Sequence, residues 1–282
     1  MKAIHKILVP IDFSPHAEKA LQYALALAGQ WGAVIDAVHV VFPEYEALDV
    51  PVMTAVATQK KLEAAREVLT NFVDAAKAKV SVAGKKMPLV NELVELGTPV
   101  STIVETAERD EADLILMGTQ GEHNRLERMF GSVSSGVLER TELPVWVIPA
   151  DAQIKLPEVV AYAAELKPDE PYLIWKAAKM LAPMNPIFRC VHVKTADGEA
   201  EPVSVEELKG FFAGKTPTLQ VSFHEIREPS VAEGLDDFTD FYQADLLIMS
   251  THHRNVWDRF FHKSQTRQMA LSCRVPLLVI KD

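Results

Sequence analysis

Short, unbroken apolar runs alternate along this chain with longer stretches in which apolar residues recur every three to four positions. The run Ala112-Asp113-Leu114-Ile115-Leu116-Met117 has the length and composition of a strand buried on both faces of a parallel sheet. Comparable strands are predicted near 5–12, 34–41, 89–96, 112–118 and 144–149, and again near 158–165, 186–194, 219–227, 244–250 and 276–281. After the first strand, Ser14 is placed to cap a helix with Pro15 at its first position, and Leu21, Ala24, Leu25 and Ala28 share one face. A second helix is predicted from about Thr58 to Ala83, a third from Pro99, and another from Ser132. Residues 42–57 carry two prolines, several acids and no periodicity, and read as a loop, either a lid over a ligand or a plain surface connection.

The pattern is written twice. Ala112-Asp113-Leu114-Ile115-Leu116-Met117-Gly118-Thr119 recurs as Ala244-Asp245-Leu246-Leu247-Ile248-Met249-Ser250-Thr251, an offset of 132. Nearer the start, Ala37-Val38-His39-Val40 is echoed by Cys190-Val191-His192-Val193 at an offset of 153, so the second copy is shorter in its middle. Strand and helix alternate in each copy. The expected architecture is therefore α/β: two tandem doubly wound domains, each with a five-stranded parallel sheet, over 1–150 and 157–282, joined by a short connector from Asp151. With strand order 3-2-1-4-5, a crevice opens where the order reverses, at the carboxyl ends of the first and fourth strands.

A net charge of -10 disfavours nucleic acid and anionic lipid as partners, so a phosphate would need local donors. Two distant cysteines, Cys190 and Cys273, give neither a disulfide framework nor a metal spacing and suit a reducing, cytoplasmic setting. No signal region leads the first strand and no apolar run approaches the roughly 18 residues of a membrane span, so a membrane location is not expected.

The candidate chemistry lies at the predicted crevice. Gly118 and Gly121 follow the fourth strand directly, and Gly131-Ser132 opens the next helix, whose free first-turn N–H groups favour an anion. Asp12, at the end of the first strand, suits ribose hydroxyls or a phosphate-bridging Mg²⁺, or else helps Ser14 cap the helix. Gly118-x-x-Gly121, nine intervening residues and Gly131-Ser132, with Pro10-x-Asp12-Phe13-Ser14 upstream, resemble the ATP-binding signature of the universal stress protein family. Both halves resemble that fold. The resemblance implies that Pro10 and Asp12 border the nucleotide, with Asp12 at ribose or metal. It implies that Val40 offers backbone groups to adenine, and that Met117 and Gly118 line base and ribose. Gly121, Gly131, Ser132, Val133 and Ser134 would surround the phosphates of ATP, with or without Mg²⁺. Arg125 and Arg128 either reach the terminal phosphate or remain solvated.

The second copy departs from this signature. Gly118, Gly121 and Gly131 become Ser250, His253 and Lys263, Asp12 becomes Glu165, and Ser264 alone keeps its type. Nucleotide is therefore expected in the first copy only. His252, His253 and His262 do not by themselves make a metal site, and Trp257, Phe260 and Phe261 either fill the disused crevice or form a contact patch. His39 and His192 occupy matching positions, which favours a repeated structural role. No nucleophile with a base and an orienting acid is visible, so an ATP-binding regulatory or stress-response module is expected rather than an enzyme. Slow ATP hydrolysis or nucleotidyl transfer, and a nucleotide-free scaffold, stay open as alternatives. The apolar last strand of each copy needs a partner at its edge, which suggests an internal pseudo-dimer, a homodimer of chains and an unidentified protein partner.

Overall fold

A computed structural model describes residues 4–43, 51–80, 86–119, 132–196, 202–213, 219–251 and 275–281. By its contacts the chain divides into two compact units, one formed by the described parts of 4–120 and 130–143, the other by those of 144–282.

In the first unit the parallel strands β1 (Lys6–Pro10), β2 (Val34–Val41), β3 (Val90–Leu96) and β4 (Leu114–Gly118) lie in the order β3-β2-β1-β4. Ile7, Leu8, Val9 and Leu114 to Leu116 are fully buried, as their unbroken apolar runs require. β3, at the outer edge, instead interleaves Glu92 and Glu95 with its apolar positions, which keeps an open edge from pairing further. Between the strands run α1 (Pro15–Trp31), α2 (Pro51–Ala78) and α3 (Pro99–Arg109), and α4 (Ser132–Arg140) follows β4. Ser14 caps α1 as predicted, its hydroxyl accepting from the Ala17 N–H at 3.2 Å. α2 corrects the expectation for 42–57 and for a helix over 58–83. It begins seven residues sooner, at Pro51, and ends at Ala78. Proline lacks only an N–H that the first helical position leaves unpaired anyway, so Pro51 opens this helix instead of breaking it.

In the second unit, β6 (Val159–Ala163), β7 (Ile187–Lys194), β8 (Val221–Arg227), β9 (Leu246–Thr251) and β10 (Leu277–Lys281) run β8-β7-β6-β9-β10, the predicted 3-2-1-4-5. Its helices α5 (Glu170–Leu181), α6 (Val205–Phe212) and α7 (Val231–Tyr242) fall where the second copy calls for them. β5 (Val145–Ile148) belongs to this unit and pairs antiparallel with β10, Val145 opposite Val279 and Val147 opposite Leu277. All four β5 residues are buried, so the apolar edge of β10 is covered.

The repeated Ala-Asp before each fourth strand has a structural cause. Asp113 accepts from the His5 and Lys6 N–H groups at 2.8 and 3.0 Å, and Asp245 accepts in the same way from Glu158 and Val159. One carboxylate thus ties the entry of the fourth strand to that of the first in both copies.

Candidate nucleotide crevice

β1 ends at Pro10, and the next residue still follows the sheet, Ile11 N–H donating to the Val38 carbonyl at 2.7 Å. The chain then turns sharply. Asp12 Oδ1 accepts from the Ser14 N–H at 3.0 Å, and Phe13 adopts φ 63, an uncommon left-handed conformation for a bulky residue. This turn lifts the Asp12 carboxylate into the exposed mouth of the crevice and starts α1 beside β4. The capping alternative for Asp12 is therefore realised in part, through its bond to Ser14, while one face of the residue still borders the opening.

The cavity measures about 220 Å³, and its described lining residues all belong to the first unit. Pro10 and Asp12 border it from β1 and its turn, Val38, His39 and Val40 from β2, and Met117, Gly118 and Thr119 from β4. The first turns of α1 and α4 meet there: His16 and Ala17 on one, Ser132, Val133 and Ser134 on the other. Ser134 Oγ donates to the Gly118 carbonyl at 3.2 Å, locking α4 to the end of β4. A Cβ on Gly118 would sit 2.7 Å from the His16 carbonyl oxygen. The glycine is thus demanded by the close approach of the protein's own helix, in addition to any ligand.

Electrostatically, the N-terminal turns of α1 and α4 border this space, and a helix N-terminus carries a partial positive charge. Among the described lining residues Asp12 is the one carboxylate, and none is a lysine or arginine. Such a set of hydroxyls and amides suits an anion that brings its own counter-ion. Of the residues named from sequence, Pro10, Asp12, Val40, Met117, Gly118, Ser132, Val133 and Ser134 border one cavity. Gly121, Gly131, Arg125 and Arg128 lie outside the described residues. His16, Ser14, Pro99 and Ile103 also line it and were not named as ligand contacts. For Ser14 and His16 the signal was available, since a helix predicted to start at Ser14-Pro15 must present its first turn at that mouth.

The corresponding region of the second unit is built differently. Ser250 stands at the place of Gly118 and is buried. Glu170, also fully buried, accepts from Tyr162 Oη–H at 2.7 Å and from the Glu165 N–H at 2.8 Å. Burial pushes the Glu170 carboxyl above its usual range and the Tyr162 phenol well above its own. Glu165, the counterpart of Asp12, is ion-paired with Lys167. His252, His253, Trp257, Phe260, Phe261, His262, Lys263, Ser264 and Cys273 lie outside the described residues. Among the described residues no group of three or more histidine, cysteine or acidic side chains could hold a metal, and no helix is long and apolar enough to cross a membrane.

Against models of known families, the chain matches the Universal stress protein family over residues 3–149 and 192–281. The chain belongs to that family. Two universal stress proteins of Methanocaldococcus jannaschii are each 30% identical to it, over 145 and 151 residues. Each covers 51% of this chain, which spans 81% and 93% of theirs. The solved structure of a universal stress protein from Archaeoglobus fulgidus superposes with a TM-score of 0.70 at 20% identity, over 98% of this chain and 96% of that one. The α/β fold with its parallel sheet is thus that of universal stress proteins, and the tandem organisation read from the repeat is consistent with the two separate matched segments.

Proposed function

We propose that this universal stress protein is a regulatory module that holds one ATP per chain, in the first of two domains spanning about 1–150 and 157–282. The observation that carries this is the meeting of two helix N-termini, with Ser132 and Ser134, around a cavity whose mouth bears Asp12. N–H groups and the Ser132 hydroxyl suit phosphate, while the Ser134 hydroxyl, which donates to Gly118, holds α4 in place, and an exposed carboxylate suits ribose hydroxyls or a Mg²⁺ that the phosphates also bind. In this reading Val40 meets adenine through its backbone, and Pro10, Met117 and Gly118 flank base and ribose. Ser132, Val133 and Ser134 bind phosphate together with Gly121 and Gly131. The second copy holds no nucleotide, because Ser250 and the Tyr162–Glu170 pair occupy the matching region.

Calorimetric titration of the full chain with Mg-ATP is the test. One site per chain is expected, with Asp12→Ala weakening binding about tenfold, the size of one lost charge-assisted contact. Two equivalent sites, or no binding, would overturn the proposal.

A further inference from the structure

We propose that His39 determines which nucleoside the crevice accepts, by presenting its Nε2 as an oriented hydrogen-bond acceptor. This rests on the nucleotide reading given above and assigns a specificity role to a residue outside the glycine signature.

His39 Nδ1 lies 2.7 Å from the Ile11 carbonyl oxygen. A carbonyl can only accept, so Nδ1 carries the hydrogen, and in the neutral ring Nε2 keeps its lone pair. The ring is held in place by more than this bond. Phe13 packs on it with centroids 4.3 Å apart, and Phe72 from α2 meets Phe13 edge-on at 5.7 Å. The left-handed backbone of Phe13 serves this packing. His39 borders the cavity, and its Nε2 has no hydrogen-bond partner among the described residues.

The second copy provides an internal control. His192 makes the same Nδ1 contact, to the Ala164 carbonyl at 2.9 Å, yet it is only 9% exposed, whereas His39 is half-buried. Both histidines pin the turn after the first strand of their copy. Only His39 also borders the described cavity.

An acceptor at this position recognises a donor. Ionised phosphates have none, so the partner belongs to the nucleoside: the exocyclic amine of adenine or a ribose hydroxyl. Binding of ATP, inosine triphosphate, 2′-deoxy-ATP and 3′-deoxy-ATP, each with Mg²⁺, separates these sources. The expected result is a preference of about tenfold for ATP over whichever analogue lacks the donor that His39 meets, as one net hydrogen bond provides.

Two variants separate specificity from scaffolding. His39→Asn places an amide N–H near the Nδ1 position, keeping the bond to Ile11 but withdrawing the acceptor, and the preference is expected to fall within twofold of unity. His39→Gln places an acceptor near Nε2 and gives up the bond to Ile11, and the preference is expected to survive a general loss of affinity. A wild-type protein that binds all four nucleotides within twofold would overturn the proposal without need of any variant. So would a His39→Asn protein with the preference intact. If none of the four nucleotides binds, the nucleotide reading itself fails; equal binding of all four overturns the role of His39 alone.

Discussion

Gly118 and Ser250 hold the same place in the two copies, and the single hydroxymethyl group between them goes with two different crevices. At Gly118 the missing side chain lets the first turn of α1 close onto β4. At Ser250 a buried side chain stands there, and Glu170 folds inward to meet Tyr162. The second arrangement carries a pH signature. Because burial raises the Glu170 carboxyl in the folded protein, its contribution to stability is complete below the ordinary carboxyl value of 4.5 and is lost as pH rises through the raised one. The stability of wild type relative to Glu170→Gln is therefore expected to fall as pH is raised from 4 to 8 in denaturant titrations. A difference that stays flat with pH would count against a raised carboxyl. The sequence named Gly118 and Asp12 because their types and spacing follow from chemistry. It did not name Glu170, which reads as an ordinary first-turn acid until the fold shows that it has no exposure.

The inner strands were legible as apolar runs too short for a helix and the edge strands β3 and β8 as alternating ones, and all ten predicted strands occur within a few residues of their expected limits. The start of α2 was not, since Pro43 and Pro51 look alike in sequence while one precedes the helix and the other begins it. The pairing of the last strands was legible from a need: apolar edges must be covered, the sequence pointed to the last strands of the two copies covering one another, and β5 pairs with β10. Proline at Val147 would remove a ladder donor within a fully buried strand. Val147→Pro is expected to destabilise the unit that contains β5 and β10 by about 1–3 kcal/mol, the cost of a buried polar group left unpaired. Hydrogen exchange should then quicken at the amides of β10; unchanged protection there would contradict the pairing.

At the level of the whole molecule, the repeat joins one fold to two unlike crevices, and a ligand should report that difference. ATP at about a hundred times its Kd stabilises the unit that binds it by about 2.7 kcal/mol. Exchange is expected to slow in β1, β4 and α4 and to stay unchanged in β6 and β9; equal protection of both sets would contradict a single site. The repeat boundary and the contact boundary also differ, because β5 is written at the end of the first copy and packed with the second. Separating the copies at the connector, as two genes would, leaves the first polypeptide ending in four apolar residues that have lost their pairing with β10. A cut at the connector would uncover the apolar edge of β10, so the place to divide this chain is ahead of β5 rather than after it.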